Sequence, residues 1–231
     1  MDKLKKLLAL EAKLKIDDSL LDRLLKGGNE IRLSPHETML DEGDSNPDIY
    51  IVKNGIIRGT HLCQNVEVTS GFALPGTIII SFHCYYGNEP SFYRFEACCK
   101  SVVIRIPKAH FDSLIEESHE FARWVLSAHQ NQLYYYERKN KILSGNARER
   151  LVALFDMLSE AEYDPYESLV SDNSHETNVK NLCCDRWIRL LSLIPSRVIA
   201  SYIGITEQHF SKIKRELLTG DRSTLQNINL E

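Results

Sequence analysis

The chain has 231 residues, a formal net charge of −4, and 43% hydrophobic and 26% charged residues. That length admits two modest domains with a sizeable apolar core. No apolar run approaches the ~20 residues a membrane helix needs, and the Lys-rich amphipathic start lacks a cleavable signal pattern, so a cytoplasmic protein without membrane contact is expected.

Residues 1 to 26 read as helical through apolar stripes at Leu4, Leu7, Leu8, Leu14 and Leu20 to Leu25, with Gly27-Gly28 ending the run. From there to about residue 107 the pattern changes to short strands. Ile49 to Val52, Asn54-Gly55 and Ile56 to Thr60 form the strongest local signal, since Asn-Gly between β-branched runs favours a tight hairpin. Val66 to Thr69, Phe72 to Leu74, Thr77 to Ser81, Tyr93 to Ala97 and Ser101 to Ile106 continue the series, which suggests an antiparallel barrel or roll.

After Pro107 the helical period returns. Lys108 to Glu116 is a short helix, and Ser118 caps a long one reaching Leu143, roughly 38 Å at 1.5 Å per residue. Ala122, Leu126, His129, Leu133, Tyr136, Asn140 and Leu143 recur at alternating spacings of four and three, the seam of a parallel dimer in which His129 and Asn140 can fix register. Ala147 to Glu162 is a further helix, Tyr163 to Asn181 a long polar loop, and Arg186 to Leu193 a short helix.

Ser196 to Arg215 has the spacing of a helix-turn-helix. Ala200 falls where the helices touch, Gly204 in the turn, and Ile199, Ile203, Ile205, Phe210 and Ile213 at the plug positions. Thr206 suits the cap of the second helix, leaving Glu207, Gln208, His209, Ser211, Lys212 and Arg215 off the packed face. Such a helix fits a DNA major groove. Charge distribution agrees: Arg186 to Arg222 carries a local +4, leaving −8 for the rest.

The six cysteines, Cys63, Cys84, Cys98, Cys99, Cys183 and Cys184, match no zinc or iron-sulfur spacing and are expected to be reduced and mostly buried. The eight histidines show no ligand spacing either. No metal or cofactor is expected. Residues 30 to 107 lack a cupin-type His-x-His set, and no catalytic triad or dyad stands at informative spacing, so the chain does not read as an enzyme.

Strands, a long helix and a C-terminal helix-turn-helix in this order resemble the Crp/Fnr family of bacterial transcription regulators. Leu40 to Asp44 with Ile49 to Gly55 resembles the family's opening strands; Ala147 to Leu151 and Ile194 to Thr206 resemble its DNA-binding domain. The resemblance implies an α+β protein. An antiparallel, jelly-roll-like β-roll with an N-terminal helix (1–116) acts as sensor, a dimerisation helix follows (117–144), and a helical helix-turn-helix domain (145–231) closes the chain. Thirteen residues follow Leu218, so the wing is short or absent.

The chain departs from the family at the phosphate cassette, where nucleotide-binding members present Gly-Glu-Leu and then Arg-Ser or Arg-Thr. Here Pro75 to Phe82 and Pro90 to Tyr93 stand instead, and Arg94 is displaced by one strand position. A buried phosphate without its cation is costly, so no cyclic-AMP binding is expected. Ser81, Tyr93 and Arg94 are the candidate lining of any remaining effector pocket. The oxygen-sensing members' N-terminal cysteines are also missing, since residues 1 to 62 contain none. In the second helix, Gln208 offers a bidentate pair for adenine, Ser211 a base or phosphate contact, Lys212 guanine or phosphate, and Glu207 a cytosine amine. Lys214, Arg215 and Arg197 are further phosphate or base contacts. The expected partners are a partly palindromic double-stranded DNA site and a second copy of the chain. RNA polymerase is a further candidate, and the small-molecule effector is unknown or absent.

Overall fold

The computed structural model describes residues 2–159 and 189–219. The expected loop from Tyr163 to Asn181, together with Cys183, Cys184, Arg186, Arg222 and any wing, lies outside them.

The expected single run over 1–26 is two helices, α1 (Asp2–Ala12) and α2 (Asp18–Lys26). Lys13 leaves helical geometry at φ +51, and the Asp17 carboxylate accepts the Ser19 N–H at 2.7 Å to start α2 afresh. Eight strands follow: β1 (Asn29–Leu33), β2 (Thr38–Leu40), β3 (Ile49–Asn54), β4 (Ile57–Cys63), β5 (Val66–Ala73), β6 (Ile78–Ile79), β7 (Arg94–Ala97) and β8 (Ser101–Ile106). They form two antiparallel sheets of order β1-β8-β3-β6 and β2-β7-β4-β5. Tyr50, Val52, Ile57, Ala97 and Val103 are buried together in one cluster.

Asn54-Gly55 does not close a hairpin. β3 and β4 belong to different sheets, so the turn is a corner of the roll. Gly55 is required there twice over: its φ is +86, and a Cβ would lie 2.7 Å from the Lys100 carbonyl. The hairpin is instead β4–β5, across Gln64 and Asn65, both at positive φ as a type I′ turn demands. The strand expected over Thr77 to Ser81 shortens to β6, and a helix, α3 (Phe82–Gly87), follows it.

α4 (Lys108–Glu117) leads into α5 (His119–Leu143), whose first turn is capped by Ser118 Oγ accepting the Phe121 N–H at 3.2 Å. Phe121, Trp124, Val125 and Ala128 of α5 pack with Leu8, Leu21, Leu24, Ile49 and Phe111 in the N-terminal core. α6 (Ala147–Ser159), the helical residues 189–193, α7 (Ser196–Ile203) and α8 (Glu207–Thr219) form the C-terminal unit. Its core of Leu151, Leu154, Phe155, Ile199, Ile203 and Phe210 also takes in Ile56, Cys98 and Cys99 of the roll. The helical unit is therefore docked on the β-roll by shared apolar burial.

Candidate functional site

α7 and α8 meet as the spacing predicts. Gly204 ends α7 at φ +69, and its N–H returns to the Ala200 and Ser201 carbonyls. Thr206 Oγ1 accepts the His209 N–H at 3.2 Å and opens α8. Ile199, Ala200, Ile203, Phe210 and Ile213 are buried between the helices. Thr206, Glu207, Gln208, His209, Ser211, Lys212 and Arg215 are exposed, Lys214 is half-buried, and Arg197 is exposed in the first turn of α7. Glu207, Gln208, Ser211, Lys212 and Arg215 line one shallow surface depression. Arg150 of α6 steadies the turn by donating to the Ile203 carbonyl at 3.0 Å and, through Nε, to the Gly145 carbonyl at 2.7 Å.

α5 has two unlike faces. Phe121, Trp124, Val125 and Ala128 are covered by the chain's own helices and roll, while Leu126 is 60%, Leu133 64% and Tyr136 49% exposed. Ala122, His129 and Leu143 are half-buried and Asn140 is exposed. Phe82 of α3 sits edge-on to His129 with ring centres 5.3 Å apart, and burial holds the His129 imidazole below its ordinary pKa. Of the seam positions, Leu126, Leu133, Tyr136 and Asn140 are therefore exposed on this chain, with half-buried Ala122, His129 and Leu143 between and beside them.

A cavity of about 760 Å³ lies between α1, α5, β4, β5 and the β6–α3 segment, and Tyr202 of α7 reaches its wall. That volume is in the range of small-molecule sites. Of the three residues expected to line a pocket, Tyr93 does so; Ser81 and Arg94 do not. Ser81 Oγ is buried in a hydrogen bond to Ser91 Oγ at 3.0 Å. Arg94 is engaged by Asp41 at 2.7 Å and Glu67 at 3.7 Å, and its hydrogen bond holds the Asp41 carboxyl below the usual range. Nearby, Arg58 is buried against Glu96 at 3.0 Å and Glu67 at 2.8 Å.

Polar groups that sequence reasoning did not single out stand in the cavity wall. Burial raises the Glu11 carboxyl to about 7 against the opposing pull of Lys13. Asn131 is buried with its side-chain carbonyl oxygen unpartnered. Lys139 donates to the carbonyls of Thr69 at 3.1 Å and Ser70 at 2.8 Å, and lies 4.5 Å from the Tyr202 ring centre. Around that point β5 and α7 interlock: Thr69 N–H donates to Ser201 Oγ at 2.9 Å, and Phe72 and Tyr202 rings lie 5.1 Å apart. Nothing in the local pattern marks these residues, because a lysine late in a long polar helix face is indistinguishable from a solvated one until the tertiary fold covers it.

Among the described residues no helix is long and apolar enough to cross a membrane. Cys84, Cys98 and Cys99 are buried free thiols and Cys63 is exposed; burial drives the Cys98 thiol up to about 12, which leaves it inert.

The described residues join an antiparallel β-roll, a long helix and a C-terminal helix-turn-helix in that order. Residues 30–118 match the family described as Cyclic nucleotide-binding domain. FixK2 from Bradyrhizobium japonicum is similar at 16% identity and TM-score 0.60, covering 87% of this chain and 96% of that one. The c-di-GMP responsive global regulator CLP of Xanthomonas campestris is similar at 15% identity and TM-score 0.60, over 87% and 92% of the two chains. A CooA mutant from Carboxydothermus hydrogenoformans is similar at 16% identity and TM-score 0.55, over 91% and 83%. No curated protein sequence matches the chain. Residues 30–118 thus resemble a cyclic nucleotide-binding domain, and the chain shares the fold of these solved structures.

Proposed function

We propose that the protein is a homodimeric, sequence-specific DNA-binding transcription regulator whose sensor domain responds to a small molecule other than cyclic AMP. The observation that carries this reading is the division of α8. Phe210 and Ile213 are buried against the preceding helix, while Glu207, Gln208, Ser211, Lys212 and Arg215 share one open polar face. A helix held from behind and bare in front can enter a major groove, where Gln208 and Lys212 meet base edges and Arg197, Lys214 and Arg215 meet phosphate.

The uncovered row Leu126, Leu133 and Tyr136 on α5 supports pairing with a second copy, which places two α8 helices on one duplex. Against cyclic AMP stands the chemistry of the roll: the cassette cation is missing from its usual place, and Arg94 is already paired with Asp41 and Glu67. The cavity beside α5 is the effector site in this reading, because its wall includes both the dimer helix and Tyr202 of α7. Occupancy then biases the equilibrium between docked and released positions of the helix-turn-helix.

The test is selection from randomised duplexes by the purified full-length protein at physiological salt. Enrichment of an inverted repeat is expected. Recovery of unenriched sequence removes the specific-DNA reading.

A further inference from the structure

Lys139 is a half-buried cation held by neutral partners among the described residues. Its three N–H donors have two carbonyl acceptors, Thr69 and Ser70, and one aromatic face, Tyr202. Among the described residues no carboxylate stands within ion-pair distance of it. Carbonyl dipoles compensate a buried charge only in part, and burial accordingly lowers the Lys139 pKa to about 8.

Among the described residues the cavity wall holds one carboxylate, Glu11, and burial raises its carboxyl to about 7, so it offsets the Lys139 ammonium only in part near neutrality. Much of the remaining wall is apolar or aromatic, including Leu10, Ile78, Phe95 and Leu133. A space with greasy walls and one under-compensated ammonium is complementary to an anion that carries an apolar body.

We infer that the cavity binds an amphipathic monocarboxylate, an aliphatic or aromatic acid whose head pairs with Lys139 and whose body fills the space between α1, α5 and β5. This rests on the effector reading above and names the ligand class for the same site. The head is a single carboxylate rather than a phosphate ester because two of the three Lys139 donors are already held by backbone carbonyls. One N–H can turn to one anionic oxygen; a phosphoryl group would need several.

The position of Lys139 also says how such a ligand would be felt. Thr69 accepts from Lys139 through its carbonyl and donates through its N–H to Ser201 on α7, and Tyr202 is the next residue of that helix. An acid that draws the ammonium away from Tyr202 removes the cation–π contact at the junction of sensor and helix-turn-helix and loosens their docking.

The experiment is calorimetric titration of the full-length protein at neutral pH with octanoate and 4-phenylbutyrate, each beside the alcohol of the same body. At least about tenfold tighter binding of the acids is expected, a difference an ion pair of this kind can supply. Lys139→Met should erase the preference while leaving alcohol binding unchanged, and Lys139→Arg should retain it. Circular dichroism checks that each variant is folded. Equal affinity of acid and alcohol, no binding of either acid, or an acid preference that survives Lys139→Met in a folded protein overturns the inference. DNA binding is measured separately without acid, so a protein that binds DNA but no acid refutes only this inference, and one that binds acid but no DNA refutes only the regulator reading.

Discussion

Replacing Lys212 by alanine separates recognition from folding. The side chain is exposed on α8, outside the packed row of Phe210 and Ile213, so its removal leaves the hydrophobic contact between α7 and α8 untouched. If the ammonium meets a phosphate, its loss removes one counterion-release equivalent, and the slope of log K against log salt falls by about 0.9. At physiological salt that amounts to about fivefold weaker binding, or about 1 kcal/mol. If it meets a guanine edge instead, the slope is unchanged and about 1–3 kcal/mol of discrimination is lost at a single base pair. Fluorescence anisotropy with the selected duplex across a salt series, repeated with single-base variants of the site, reads both quantities. The thermal midpoint should stay where it was. Unchanged slope together with unchanged base preference would refute the placement of Lys212 at the DNA surface, and a lowered midpoint would refute its separation from the fold.

Phe210→Ala should do the opposite, costing about 3–5 kcal/mol of stability of the C-terminal unit, because the ring is fully buried; chemical denaturation followed by circular dichroism measures it. Leu126→Asp with Leu133→Asp should abolish the proposed self-association in light scattering with helical content retained, since both side chains are exposed on α5. Burial raises the folded Glu11 carboxyl from 4.5 to about 7, so the folded chain holds a proton that the unfolded chain has released between those values. Stability from this group is full below about pH 4.5 and is lost as pH rises through about 7; Glu11→Gln should flatten that fall in urea midpoints measured across the range.

The helix-turn-helix was legible because its determinants are local. Gly204 at positive φ, the Thr206 cap and the apolar plug positions all lie within twenty residues, and each reports on its immediate neighbours. The roll was legible as a series of strands but not as a topology. Asn54-Gly55 pointed to a hairpin, and Gly55 does turn the chain at φ +86, yet whether β4 folds back on β3 or crosses to the other sheet is decided by β7 and β8, some forty residues away. The break between α1 and α2 depends on Lys13 and the Asp17 cap overriding an apolar period that runs through them. The cavity was the least legible feature. Lys139, Asn131 and Glu11 acquire their chemistry from burial by separate elements, and Ser81 and Arg94, adjacent to Tyr93 in a sequence argument, are drawn off by Ser91 and Asp41.

In the proposed dimer, two α8 helices read successive major grooves of one duplex. Hydroxyl-radical and methylation footprinting of the selected duplex resolves this arrangement. Two symmetric patches on one face of the duplex, centred about one helical turn apart and both lost in a Gln208→Ala, Lys212→Ala variant, are expected. A single patch, or protection that survives the double substitution, would contradict it.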